Sequence, residues 1–330
     1  MAMVGKTSPK ILREIETRPV AWRNTDLAED AGVVRVTDAC RAELLDAAAL
    51  LQANPLPIVS LRPDDFDLPV CRALMRDVKA ALETGVGFAV IDRLPVDALD
   101  RETATKLYWL LTNMLGQTVA QKWDGTVVYD VRDTGKKREA GNGVRSSTTN
   151  EGQGYHTDNS FNLPPDYVAL FCLHPAKDGG VNGVISFPAA HNEMLETCPG
   201  LLERLYEPFF FDRQQEHAPE DSPISQAPIF RYDGDTLHTQ FADMLVYAGY
   251  DVAGEEIDPK GRAAIEALTA IIEAPDARHD FVFEHGQIQI VDNRRLGHRR
   301  TAYTDWPEEE RRRHLVRLWI RNTGRSFYHG

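Results

Sequence analysis

The sequence predicts a mixed α+β protein with a mainly β core, an antiparallel barrel or jelly roll with flanking helices and a helical insertion. Three observations lead there. Apolar residues recur every three or four positions in the first third of the chain. From Thr118 onward they gather into short runs bounded by turn residues, and between 189 and 275 helical spacing returns. Short strands with turn signals between them form antiparallel sheets, because parallel neighbours need long crossovers.

Residues 1 to 40 mix charge with proline and show no period, so they are expected to be an arm lying on the body. Helices follow over RAELLDAAALLQ (41 to 52) and PVCRALMRDVKAALETG (69 to 85), where Val70, Leu74, Val78 and Leu82 share one side. Gly85 and Gly87 stop the second helix, and FAVI (88 to 91) is a short apolar strand. DRETATKLYWLLTNMLG is a third helix, with Asp100 as N-cap, Leu107, Leu110, Leu111 and Met114 inward, and Gly116 as terminator. Strands are predicted at 126 to 131, 167 to 173 and 183 to 187, then in FVF and QIQIV joined by the turn EHG. The polar, glycine-bearing stretch 132 to 155 has the length and composition of an active-site lid. The insertion, 189 to 275, contains helices in AAHNEMLETCPGLLERLYE and GRAAIEALTAIIEA and a hairpin around YDGD. Residues 41 to 330 are expected to form a single domain.

Composition narrows the function. The 330 residues are 42% apolar, enough for a large core, and the net charge of -13 repels phosphate backbones and anionic membranes. Neither nucleic acid nor a membrane is expected as partner. No signal peptide core or membrane-length apolar run is visible, which predicts a cytoplasmic protein. Cys40, Cys71, Cys172 and Cys198 are scattered without a CxxC pair and read as reduced, mostly buried thiols.

Chemistry enters with His156 and Asp158. In extended backbone, residues two apart point to the same side, so imidazole and carboxylate would face one point; the plain alternative is a polar turn at a sheet edge. His191-Asn192-Glu193 has the same pattern but lies at the start of a predicted helix, where residues two apart diverge by about 200°. A third ligand must come from another histidine. His298, in VDNRRLGHRRTAY, follows QIQIV after a short polar turn and is expected at a strand end or barrel rim. Two histidines and one carboxylate leave three metal positions open, which suits non-haem Fe(II) holding a cosubstrate and O2 better than zinc. The last strand, RHLVRLWIR, alternates, with Arg313, Arg317 and Trp319 on one face. An inward arginine is costly unless it meets an anion, and its planar fork fits a carboxylate; the EEE at 308 to 310 offers a surface alternative.

Taken in order, HTDNSFNLPPDYVALFCLHPAKDGG, DNRRLGHRRTAY and RHLVRLWI resemble the taurine and 2,4-D dioxygenase (TauD/TfdA) family of clavaminate synthase-like Fe(II)/2-oxoglutarate oxygenases, from about Gln117 to Asn322. The resemblance implies a double-stranded β-helix in which His156, Asp158 and His298 hold iron and Arg317 binds the distal carboxylate of 2-oxoglutarate. Arg313 would hold an anionic group of the substrate, with Arg145 and Asn150 of the lid as further contacts. Where the family commonly has Thr or Ser after Gly179-Gly180, this chain has Asn182, whose amide offers the same hydrogen bond, with Ser186 as a substitute. The implied reaction uses O2 and 2-oxoglutarate, releases succinate and CO2, and hydroxylates an unactivated C–H of a small charged molecule such as an amino acid, sulfonate or other organic acid. Desaturation or ring closure is the alternative outcome, and the carboxylate at Asp158 argues against halogenation. Relatives often pair, so a homo-oligomer is compatible with the resemblance. Two other classes compete: a metal-free jelly-roll binding module, and a different metalloenzyme on the same barrel with no use for an inward Arg317.

Overall fold

The computed structural model describes residues 9–137 and 144–327. Seven strands form a major sheet in the order Val33–Arg35, Phe88–Asp92, Ile288–Asp292, Tyr167–His174, His314–Ile320 and Thr118–Val119, with Tyr129–Val131 also pairing His314–Ile320. Every neighbour is antiparallel except the first pair. Because successive side chains alternate, Val316, Leu318 and Ile320 turn outward into a core shared with helices Asp38–Ala53, Pro69–Glu83 and Arg101–Thr112. Phe171 and Ile290 from neighbouring strands join them, packed with Leu44, Leu82 and Leu107.

A minor sheet of four strands runs Arg278–Phe281, Asn182–Ser186, Leu296–Arg300 and Gln153–His156, all antiparallel. The inner faces of the two sheets meet: Val168, Val291 and Trp319 from the major sheet contact a cluster containing Val184 and Leu296 from the minor one. The result is the mixed α+β fold with a jelly-roll core that the strand spacing predicts. The insertion adds helices Phe187–Thr197, Pro199–Arg204, Asp243–Ala253 and Pro259–Ile272, two hairpins, and its own core around Phe187, Met194, Phe230 and Leu268. One of those hairpins, Phe230–Tyr232 with Leu237–Thr239, is the one expected around YDGD.

Several boundaries differ from expectation. Val33–Arg35 joins the sheet edge and helix Asp38–Ala53 starts at the cap Thr37, so the last part of the arm is regular structure; Val20 and Trp22 are buried. The strand expected over 126 to 131 shortens to Tyr129–Val131. FVF and QIQIV do not form a hairpin: Arg278–Phe281 pairs in the minor sheet and Ile288–Asp292 in the major sheet, so EHG is a corner between layers. Of the expected lid, residues 138–143 lie outside the described residues. Its later part is tied down: the Arg300 guanidinium donates to the carbonyls of Ser146, Thr149 and Glu151, and the Tyr303 amide donates to Asn150 O at 3.1 Å.

Candidate metal centre

His156 ends strand Gln153–His156, and Thr157 anchors the chain as it leaves the strand. The Thr157 amide donates to Phe241 O at 2.7 Å and the Phe241 amide donates back to the Thr157 hydroxyl at 2.9 Å. Asp158 then opens a turn, continued by Asn159 in the left-handed region at φ 56°. Asn293 secures that turn from both sides, accepting from the Asp158 amide at 2.7 Å and donating to the Asp158 carbonyl at 3.0 Å. His298 sits in the middle of strand Leu296–Arg300, directly opposite His156 in the ladder, and not at the rim expected for it. The imidazole centroids are consequently 4.4 Å apart.

Each of His156, Asp158 and His298 offers a donor atom within 4.8 Å of the others. His156 Nδ1 donates to the Gly154 carbonyl at 2.9 Å, so Nε2 carries the lone pair; it accepts from Gln153 Nε2 at 2.9 Å and lies 3.4 Å from Asp158 Oδ1. His298 Nε2 lies 3.7 Å from the same oxygen. The other carboxylate oxygen, Oδ2, is held by Trp319 Nε1 at 2.7 Å and by Arg317 Nη1 at 3.0 Å. Oδ1 is thereby turned toward the two imidazoles. Burial pushes the Asp158 carboxyl up, but Arg317 and the two histidines outweigh it and hold the group well below the usual carboxylate range. Burial, with His156 alongside, pushes His298 down to about 3. An ionised carboxylate and a neutral imidazole are the forms that ligate a metal, so this donor set fits a divalent ion such as iron(II).

Arg317 is positioned by Gln121, whose Oε1 accepts from Arg317 Nε at 2.8 Å, and by the Tyr129 ring at 4.9 Å. Arg313 is set apart. It is 3% exposed, lies 5.0 Å over the Tyr303 ring, and its Nη1 is buried without a hydrogen-bond partner among the described residues. Burial pushes its guanidinium down, and burial together with Arg313 pushes the nearby Arg300 down to about 10.

A cavity of about 670 Å³ opens over His156, Asp158, Arg317 and Trp319 and is lined also by Arg145, whose guanidinium pairs with the buried Glu216. Asn150 is exposed and does not line it. Asn182 is buried in the minor sheet opposite Arg300. Ser186 caps helix Phe187–Thr197: its hydroxyl accepts from the Ala189 amide and donates to Val20 O at 2.6 Å. That hydroxyl is engaged within the fold as both donor and acceptor. His191, set aside on its helical spacing, is buried against the Tyr206 hydroxyl at 2.7 Å. Gln121, Asn293 and Trp319 are the site residues whose roles sequence reasoning missed; Asn293 lay in view within the DNR segment.

Among the described residues no helix is long and apolar enough to cross a membrane. The chain is similar to FR-33289 synthase of Streptomyces rubellomurinus, 30% identical over 96% of this chain and 94% of that protein. It is also similar to the taurine hydroxylase-like protein SAT17 of Stachybotrys chartarum, 26% identical over 91% and 78%. Its fold matches a solved asparagine oxygenase in complex with Fe(II), 2S,3S-3-hydroxyasparagine and succinate, with TM-score 0.66 and 19% identity over 88% of this chain and 94% of that one. The non-heme iron oxygenase OrfP, in complex with Fe and alpha-ketoglutaric acid, matches at TM-score 0.66 and 16% identity over the same shares. The model of the family described as taurine catabolism dioxygenase TauD, TfdA family matches residues 52–319, and the chain belongs to that family of Fe(II)/2-oxoglutarate-dependent oxygenases.

Proposed function

We propose that His156, Asp158 and His298 hold iron(II) and that the enzyme hydroxylates an unactivated C–H bond of a small organic anion. The observation that carries this reading is the convergence of three donor atoms within 4.8 Å, with the fourth candidate atom, Asp158 Oδ2, tied to Trp319 and Arg317. Three ligands on one side leave room for a cosubstrate and O2. When bound, iron(II) with 2-oxoglutarate supplies the oxidising chemistry: O2 is consumed, the keto acid leaves as succinate and CO2, and C–H becomes C–OH.

The chain's own residues prepare for anions at two places, and here the roles that the resemblance gives the two arginines are exchanged. Arg317 already faces Asp158 and Gln121, beside the metal ligands and open to the cavity. Once Asp158 shares its charge with a divalent ion, Arg317 is left with surplus positive charge for a substrate anion. Arg313 and Arg300 are two buried neighbouring guanidiniums with no ion pair among the described residues. Buried like charges of this kind are expensive without a counter-ion, which supports Arg313 as the seat of the distal carboxylate of 2-oxoglutarate. Asn182, beside Arg300 in the sheet, is the polar neighbour proposed to assist there. Arg145, on the cavity wall, is proposed to touch substrate; Asn150, exposed and outside the cavity, supports the lid through its carbonyl.

Anaerobic addition of Fe(II) and then 2-oxoglutarate tests the reading. A visible charge-transfer band that needs both, followed by succinate formation with a panel of organic acids, is expected. Absence of the band in folded protein overturns it. Arg313→Ala should weaken 2-oxoglutarate binding far more than Arg317→Ala does, and the reverse order returns the distal carboxylate to Arg317.

A further inference from the structure

Helix Asp243–Ala253 turns one stripe toward the cavity. Met244, Leu245, Ala248 and Val252 all line it, and at roughly 100° per residue they fall within one arc about 100° wide. The other side of the helix is committed to the protein. Val246 and Gly249 are buried, and a Cβ on Gly249 would lie 2.7 Å from Phe210 C and Phe211 N, so the helix backbone rests directly on strand Pro208–Asp212. Met244 is 44% exposed and Val252 50% exposed. Exposed apolar side chains gathered at the mouth of a cavity mark a surface that a ligand covers.

2-Oxoglutarate does not suit that stripe, because its only apolar part is two methylenes held between a carboxylate and a keto acid. The volume, about 670 Å³, lies in the range of roughly 300–1,000 Å³ that takes drug-sized ligands. Charge sets the orientation. Arg317 stands beside the candidate metal ligands and Arg145 is already paired with Glu216, whereas Asp243 and Asp251 flank the stripe and would repel a second anionic group there. We propose that the substrate is an organic anion carrying an apolar arm, and that the 243–253 helix is the specificity wall covering that arm while the anionic group lies toward Arg317. This rests on the functional reading above.

The test is calorimetric titration, without O2, of the Fe(II)- and 2-oxoglutarate-loaded protein with straight-chain carboxylates from butanoate to decanoate. Dissociation constants should fall about two- to fourfold per added methylene, the range expected for partial to full burial of a CH2. The double variant Met244→Gln/Val252→Thr, whose exposed positions leave folding intact, should lose most of that dependence while binding butanoate as the wild type does. A flat series in the wild type, or an undiminished slope in the variant, overturns the proposal. So does sedimentation showing that the stripe is covered by a second copy of the chain and that the variant frees it. Loading is read separately by the visible band: protein that fails to load refutes the functional reading, whereas loaded protein with a flat series refutes only the wall.

Discussion

The major sheet places Phe171, Ile290 and Leu318 beneath three helices in an almost wholly apolar layer, whereas the four short strands of the minor sheet carry Asn182, His298, Arg299 and Arg300. Apart from the parallel edge pair Val33–Arg35 with Phe88–Asp92, both sheets are antiparallel, and they share one interior, so the contrast comes from side-chain choice and not from backbone plan. Burying large apolar groups stabilises the fold; burying charges and imidazoles costs stability and creates reactivity. Strand His314–Ile320 of the major sheet serves both ends of this contrast, with Val316, Leu318 and Ile320 in the apolar layer and Arg317 and Trp319 over the candidate metal centre. One strand therefore couples the stable layer to the reactive one.

This division can be broken or sharpened by four substitutions. Asp158→Ala should reduce iron binding and turnover to background, beyond the roughly 10–100-fold that loss of a supporting contact costs. The folded protein should persist by circular dichroism, and iron retained at wild-type affinity would remove Asp158 from the centre. Phe171→Ala should cost about 3–5 kcal/mol in urea unfolding, the range for a large core truncation. Its folded fraction should still bind iron one-to-one, and a folded variant without iron would show that the layers are not separable. Trp319→Phe keeps an aromatic ring, smaller than the indole, and deletes the indole donor to Asp158 Oδ2. About 10–100-fold weaker iron binding with little change in thermal midpoint is expected; a purely structural Trp319 would shift the midpoint alone.

The smallest effect concerns pH. Burial pushes His191 down to about 4, below its ordinary value of about 6.5. As pH falls, the unfolded chain takes up the proton first, so stability present above about 6.5 is lost progressively toward 4. Between pH 7 and 5 the wild type should lose about 1–2 kcal/mol more than His191→Gln does in parallel urea titrations. Equal losses would assign the acid sensitivity to other groups.

How much of this was legible depends on which interactions are local. His156 and Asp158 could be paired from the extended-chain rule, and Asp100 and the YDGD hairpin from cap and turn chemistry. His298 was found, but its place in mid-strand was not, because register across a ladder is set by partners distant in sequence. Gln121 supports Arg317 across 196 residues, and nothing near it in the chain announces that. EHG shows the difficulty in another way: a hairpin turn and a corner between sheets use the same residues, and only pairing partners distinguish them. Alternation places the two arginines of the last strand on one face, and the cost of an inward arginine makes an anion there an expectation. Their different surroundings, Asp158 for Arg317 and Tyr303 with Arg300 for Arg313, depend on the fold.

The cross-strand partnership of His156 and His298 also makes the centre a gauge of how the chain was threaded. Slipping either strand by one place would swing its imidazole to the opposite side of the sheet, and the chelating pocket would vanish while most of the hydrophobic packing survived. During refolding, the fraction of molecules able to capture iron should accordingly count those zipped in the right alignment, including when bulk spectroscopy already reports a folded protein.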